Sequence, residues 1–127
     1  MAKEIYIIED DLGLQELTVI MLTRLGVNSN QISKFSSLEE AREGLIKNHK
    51  SEPGLILLNI DLPDGNGLMF LEKIRKVDAF KNTPVVAVTS LYGEDIETVC
   101  QDLGVKSILY KPFTLEQLQE VVNNNFA

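Results

Sequence analysis

The sequence has one cysteine, no long apolar run and few basic residues. A single cysteine excludes a disulfide framework within the chain. No apolar run approaches the ~20 residues of a membrane-spanning helix, and the opening MAKEIYII lacks the pattern of a signal peptide. With 12 Lys and Arg against 19 Asp and Glu, the net charge is −7, which argues against direct binding of nucleic acid. We therefore expect a cytoplasmic protein without a membrane segment.

Short apolar runs alternate with segments of helical periodicity along the 127 residues, a length that suits one domain. Each predicted strand is followed by a predicted helix, and Asp11 is the expected N-cap of the first helix. Five βα units in sequence predict a doubly wound α/β fold, with a parallel sheet between two layers of helices. The predicted strands are Lys3–Ile8, Gln31–Phe35, Leu55–Leu58, Pro84–Thr89 and Ser107–Tyr110.

Local signals mark several element ends. The pairs Ser37–Glu40 and Thr114–Gln117 have the spacing of a capping box, so each is expected to open a helix. Glu52-Pro53-Gly54 is expected to interrupt the chain before strand three. The only histidine, His49, is expected near the end of the second helix, where a cation suits the helix dipole.

Polar side chains stand at the predicted carboxyl ends of four strands, where open α/β sheets place their function. Any one of them alone is more often a cap or a turn residue. Together they form a chemically compatible set of acids, an amide, a hydroxyl and an ammonium group, so we predict one site at this edge of the sheet. Its candidate residues are Glu9, Asp10, Asn59, Asp61, Thr89 and Lys111.

Four segments, in this order, resemble the receiver domain of two-component response regulators over essentially the whole chain. They are IIEDD (7–11), LILLNIDLPDGNG (55–67), VVAVTS (85–90) and YKPF (110–113). The resemblance implies a flavodoxin-like fold with strand order 2-1-3-4-5 and five flanking helices. It implies phosphorelay signal transduction rather than enzyme activity. Residues 1–127 would form one such domain, either alone or as a fragment of a larger regulator without its DNA-binding or enzymatic output domain.

The resemblance also implies roles for individual residues. Glu9 and Asp10 match an acidic pair that binds magnesium, and Asp61 falls where a backbone carbonyl completes the metal site. Thr89 matches the hydroxyl that hydrogen-bonds the phosphoryl group. Lys111 matches the lysine that pairs with the phosphoacceptor or its phosphate, before a proline whose peptide bond is typically cis. Magnesium prefers such hard oxygen ligands, and a lysine and a metal would neutralise the moving phosphoryl group.

Asn59 falls on the phosphoacceptor, which in the family is an aspartate four residues before a loop proline, here Pro63. An amide is uncharged and a poor nucleophile, so an ordinary aspartyl phosphate is predicted to be blocked. Two carboxylates ~5 Å apart at an effective dielectric of ~20 repel by roughly 3 kcal/mol, and the amide relieves repulsion of that order. It also removes a ligand charge, so magnesium binding is predicted to be weak or absent. An engineered and a natural Asp-to-Asn difference look identical in the sequence.

Asp61 is an alternative phosphoacceptor, two residues beyond Asn59. Residues 59 and 61 would share a direction if the strand continued. The following Leu62-Pro63 forces an early turn, so Asp61 is expected to point away from Lys111.

The aromatic residues form a second departure from the family. An aromatic switch often lies three positions before the lysine, where this chain has Ile108. Tyr110 shares a strand face with Ile108 by the period of two, and is expected to pack under the last helix. Tyr92, in the loop after Thr89, is expected to be exposed near the site.

The resemblance implies partners as well: a sensor histidine kinase, a phosphotransfer protein or another signalling protein. Family members commonly pair through the face formed by helix four, strand five and helix five. Two other functions stay open. One is a phosphate-independent, protein-binding pseudo-receiver. The other is a flavodoxin-like cofactor binder or phosphatase, which IIEDD disfavours because its acids would repel a phosphate without a metal. The candidate contacts for pairing are Ile96, Val99, Cys100 and Leu103.

Overall fold

A computed structural model describes residues 3–47 and 53–126 as five strands alternating with five helices. The strands β1 to β5 are Glu4–Ile8, Ile32–Phe35, Pro53–Asn59, Val85–Thr89 and Ser107–Tyr110. The helices α1 to α5 are Leu12–Arg24, Leu38–Lys47, Gly67–Ile74, Glu94–Asp102 and Leu115–Asn125. Single turns of 3-10 helix cover Ser29–Gln31 and Asp78–Phe80, and Asp61–Leu62 pairs with Gly65–Asn66 as a short antiparallel ribbon. His49 lies outside the described residues.

The five main strands form one parallel sheet in the order β2-β1-β3-β4-β5, as predicted. In register, Ile8 lies beside Leu58, Asn59 beside Val88 and Thr89 beside Tyr110. The carboxyl ends of β1, β3 and β4 are therefore neighbours at the centre of one sheet edge.

The core lies on both faces of the sheet. All seven residues of β3 are buried, as expected of a central parallel strand covered on each side. Successive side chains alternate between the faces: Leu55 and Leu57 pack with residues of α1 and α5, whereas Ile56 and Leu58 pack with residues of α2 and α3. This double burial fixes the end of β3 and hence the position of Asn59.

The predicted start of strand three was wrong. β3 begins at Pro53, not Leu55, and Pro53 pairs with Glu4 next to a register shift between Glu4 and Ile5. Proline lacks a backbone N–H, which is tolerated at the first residue of a strand. Tertiary pairing with β1 thus overrides the local Pro-Gly signal. The preceding Glu52 lies outside the described residues.

Two of the three predicted helix caps form as expected, and the third forms only in part. The Asp11 side chain accepts from the backbone N–H of Leu14, and Thr114 and Gln117 form the full capping box. Ser37 Oγ accepts from the Glu40 N–H at 3.1 Å, but the Glu40 carboxylate accepts from Ser36 instead of closing the box.

A distant residue completes the start of α2. Asp64 Oδ1 and Oδ2 accept from the backbone N–H groups of Leu38 and Glu39, each at 3.0 Å. These bonds lower the pKa of Asp64. In the sequence, the pair Asp64-Gly65 indicates only a turn, because a cap supplied from another loop leaves no local pattern.

Candidate functional site

Glu9 follows β1 and is held by its backbone. Its N–H donates to the Phe35 carbonyl at 2.9 Å, and its carbonyl accepts from Gln15 Nε2 at 3.0 Å. The Glu9 and Gln15 side chains are both buried. Gln15 was missed by sequence reasoning, because a polar residue on a helix does not by itself indicate burial. These bonds fix the start of the acidic loop between β1 and α1.

The side-chain amide of Asn59 is the centre of the site. Its Nδ2 donates to Glu9 Oε2 at 3.1 Å, to Asp10 Oδ1 at 3.0 Å and to the Asp61 carbonyl at 2.9 Å. Its Oδ1 accepts from the Asp61 N–H at 3.3 Å. Asn59 is 4% exposed. Glu9, Asp10, Asn59 and the Asp61 backbone therefore form one hydrogen-bonded cluster at the predicted edge.

Lys111 joins the cluster through Glu9. Its Nζ lies 2.9 Å from Glu9 Oε1, while Glu9 Oε2 accepts from the Asp11 N–H and from Asn59. The Lys111 N–H donates to the Thr89 carbonyl at 2.8 Å, and the Lys111–Pro112 peptide bond is cis. Burial raises the pKa of Glu9, and the lysine and the Asp11 N–H oppose this shift. The ion pair thus offsets part of the cost of burying the carboxylate.

Thr89 lies at the end of β4, and it is only 1% exposed. It bonds to the loop that follows. Its Oγ1 accepts from the Leu91 N–H at 3.0 Å. The Thr89 backbone therefore contacts the Lys111 backbone, and the Thr89 hydroxyl contacts the loop that carries Tyr92.

The Tyr110 ring stacks on Tyr92, with centroids 4.4 Å apart and planes 7° apart. Its hydroxyl lies 3.4 Å from Glu97 Oε1 on α4. The prediction that Tyr110 packs under the last helix was thus wrong, because the loop after β4 supplies a second aromatic ring. Tyr92 is exposed, as expected. Ile108 packs with a small cluster that includes Ala87 and Cys100.

Residues 5–123 match the family model of the response regulator receiver domain. The chain belongs to this family. In receiver domains this edge of the sheet is the signalling site: they typically bind Mg²⁺ at the acidic pocket and interact with histidine kinases or phosphotransfer proteins.

Relatives of the receiver domain include the probable C4-dicarboxylate response regulator DctR of Halalkalibacterium halodurans, 33% identical over 125 residues, which are 94% of this chain and 51% of that protein. The CpxR homolog of Haemophilus influenzae is 33% identical over 117 residues, 91% of this chain and 47% of that protein. The chain spans about half the length of these two relatives. A two-component response regulator from Clostridium difficile superposes with a TM-score of 0.81 at 29% identity, covering 96% of this chain and 93% of that one.

The oxygens at this site of the receiver domain suit an N–H donor better than a metal cation. The Glu9 and Asp10 carboxylates and the Asp61 carbonyl are hard oxygens of the kind that magnesium takes. However, the atom that they surround is Asn59 Nδ2, which donates hydrogen bonds and cannot ligate a metal. Within residues 3–47 and 53–126, no three His, Cys, Asp or Glu side chains form a group that could hold a metal ion. As arranged, the cluster does not fit magnesium.

One of the residues predicted to mediate pairing, Cys100 on α4, is not on the surface. Cys100 is 3% exposed and packs with Ile60, Leu68 and Ala87, so it belongs to the core. Val99 is 42% exposed, whereas Ile96 and Leu103 are partly buried.

In the described part of the chain, no helix is both long and apolar enough to cross a membrane.

Proposed function

We propose that residues 1–127 form one receiver domain that serves two-component signalling as a non-enzymatic module and carries no acyl phosphate on residue 59. The observation that supports this proposal is the buried Asn59 amide, bonded to Glu9, Asp10 and Asp61. An amide oxygen is a poor nucleophile, and here it already accepts a hydrogen bond from Asp61. Phosphorylation of the kind that an aspartate supports is therefore blocked at this position.

The rest of the proposed pocket retains the groups that would bind a phosphoryl group. Lys111 supplies a positive charge 2.9 Å from Glu9, and the Thr89 hydroxyl lies at the end of the adjacent strand. A lysine and a hydroxyl would stabilise charge on a transferred phosphoryl group mainly by their position. Asp61 is not the substitute acceptor, because its backbone faces Asn59 and its side chain is exposed.

Magnesium binding is weak or absent in this proposal. A cation would need Asn59 Nδ2 to leave the three oxygens, which breaks all its hydrogen bonds to them. It would also meet one carboxylate fewer than an aspartate at position 59 would supply. Isothermal titration with MgCl₂ measures this directly, and tight, micromolar binding would contradict the proposal.

The partner is a sensor histidine kinase, a phosphotransfer protein or another signalling protein in the cytoplasm, with no direct contact to nucleic acid. Pairing of two copies would use the α4, β5 and α5 face, with Val99 as the most exposed of the apolar candidates and Ile96 and Leu103 beside it. Sedimentation of the protein and of a Val99→Glu variant tests this face, since a charge there would abolish self-association.

The test of the phosphorylation block is treatment with acetyl phosphate and MgCl₂, followed by intact mass. We expect no phosphoryl adduct on the protein and one adduct on Asn59→Asp, because Lys111 and Thr89 remain in place. Asn59→Asp/Lys111→Met is the control, and it should label far more slowly. An adduct on the unmodified protein would refute the block.

An inert Asn59→Asp variant would favour a second function, the phosphate-independent pseudo-receiver. One observation points in that direction: the Lys111 ammonium is already paired with Glu9, and Thr89 Oγ1 already accepts from Leu91. A pocket whose lysine and hydroxyl already have partners within the chain resembles a packed structural unit more than a vacant binding site.

A further inference from the structure

We propose that the Asn59 side-chain NH₂ group is a built-in substitute for the divalent cation of this pocket and cross-links its two loops without metal. The inference deepens the proposed function and rests on it in one respect, the assignment of Glu9, Asp10 and Asp61 to the cation site. It makes a further claim about stability, which the phosphorylation block does not require.

The geometry around one atom carries the inference. Three oxygens approach Asn59 Nδ2 at 2.9, 3.0 and 3.1 Å. Two belong to Glu9 and Asp10 on the loop after β1, and one to the Asp61 carbonyl after β3. An NH₂ group has two hydrogens, so three near-equal contacts mean that its protons are shared among all three oxygens. A single atom thus joins segments 50 positions apart in the chain.

The spacing of the oxygens suits nitrogen and not magnesium. Oxygen ligands lie about 2.0–2.1 Å from Mg²⁺ and about 2.3–2.6 Å from Ca²⁺. The oxygens here lie at 2.9 to 3.1 Å from the central atom, the ordinary range for N–H donors. To bind magnesium directly, each oxygen would have to move inward by roughly 1 Å while Asn59 left the centre.

The orientation of the amide follows from its surroundings. Asn59 and Asp61 exchange two hydrogen bonds, Nδ2 to the Asp61 carbonyl and the Asp61 N–H to Oδ1. Turning the amide over would place Oδ1 against three acceptor oxygens and NH₂ against a donor, so every contact would become repulsive. An aspartate at position 59 would place an oxygen in the same position, and it would need a cation or a proton to stay there.

The functional consequence is a pocket whose two loops are held together without a cation. A bound cation exchanges with solvent, whereas an amide belongs to the chain. The loops after β1 and β3 therefore keep their positions at any magnesium concentration, and the domain does not respond to divalent ions.

Thermal unfolding followed by circular dichroism tests the cross-link on the whole chain, in EDTA and in excess MgCl₂. The variants are Asn59→Asp and Asn59→Ala. The control is Asn28→Asp, because the exposed Asn28 caps the 3-10 turn before β2, at the opposite end of the sheet from the oxygen cluster. Its Oδ1 accepts from the Asn30 N–H, and aspartate serves equally well as an N-cap.

We expect the unfolding midpoint of the protein to be the same in EDTA and in MgCl₂. Asn59→Asp should unfold several degrees lower in EDTA and recover with MgCl₂. Asn59→Ala should be less stable than the unmodified protein in EDTA, whereas Asn28→Asp should match it in both buffers. Weak magnesium binding caused only by a missing charge would leave Asn59→Ala as stable as the protein in EDTA, and that result would overturn the cross-link.

A second measurement needs no stable variant. In ¹⁵N-labelled protein the two Asn59 side-chain protons should exchange slowly with water and keep their shifts during titration with MgCl₂. Fast exchange, or shifts that follow added magnesium, would also overturn the inference. A phosphoryl adduct on the unmodified protein would instead refute the proposed function and leave these two tests unaffected.

Discussion

Gly67 is the position where the smallest substitution should do the most damage. It opens α3 directly against the end of β3, and its N–H donates to the Ile60 carbonyl at 2.6 Å. A Cβ added at Gly67 would lie 2.2 Å from the Asn59 carbonyl oxygen, 3.1 Å from Ile60 Cα and 3.2 Å from Asn59 C. These are backbone atoms of a buried strand end, so no flexible side chain can move aside. In a Gly67→Ala variant, α3 itself must shift.

The cost can be estimated from these contacts. Overpacking of this kind costs about 1–3 kcal/mol, and the weakened hydrogen bond to Ile60 adds about 1 kcal/mol. We therefore expect Gly67→Ala to lower the free energy of unfolding by about 2–4 kcal/mol. At about 2.1 cal/mol/K of unfolding entropy per residue, a chain of 127 residues loses about 4 °C of midpoint per kcal/mol. The midpoint should fall by about 8–15 °C.

Gly13→Ala is the matched control for thermal unfolding. Gly13 lies inside α1, and its added Cβ would meet only the Asp11 side chain, at 3.3 Å. Alanine is favoured over glycine by about 1 kcal/mol in a helix, so this variant should be as stable as the protein or slightly more so. A Gly67→Ala midpoint within about 2 °C of the unmodified protein would refute the reasoning from close backbone contact.

Three further substitutions test other parts of the structure. Lys111→Met leaves the buried Glu9 carboxylate without its ion pair and should cost about 2–3 kcal/mol in urea unfolding. This is less than the cost for a fully buried pair, because Lys111 is 21% exposed. Adding Glu9→Gln should restore part of the lost stability. Asp64→Asn should destabilise at neutral pH. Because the pKa of Asp64 is lowered in the fold, its contribution is present above the ordinary pKa of about 3.9 and disappears as the pH falls through the lowered value, so the two proteins should unfold alike in strong acid. Arg75→Met removes the guanidinium donor of the Leu103, Phe80 and Thr83 carbonyls and should cost about 2–4 kcal/mol in the same urea assay, with Arg75→Lys in between.

The architecture could be predicted because its signals are local and repeated. Continuous apolar runs indicate strands covered on both faces, and a strand such as Leu55 to Leu58 has that character in the sequence alone. Asp11 and Thr114 mark helix starts because a cap is a contact between residues three positions apart. The predicted site followed from the same logic, since parallel strands bring their carboxyl ends to one edge.

Contacts between distant segments escaped prediction. Asp64 caps α2 from a loop about 25 residues away, and Arg75 donates to the Leu103 carbonyl at the end of α4. Tyr92, in the loop after β4, stacks on Tyr110 at the end of β5. None of these contacts produces a periodicity or a short motif, because each depends on where the completed fold places two segments that are distant in sequence.

For this protein, the order of its residues alone determined a wound parallel sheet and a polar edge with an amide in place of an acid, because hydrophobic periodicity and strand direction are properties of a linear pattern. Tertiary structure alone decided that the amide nitrogen faces three oxygens, that Lys111 pairs with Glu9, and that α3 begins against the backbone of Asn59. The reason is physical: a hydrogen bond depends on tenths of an ångström and on direction, and only the packed chain sets these quantities.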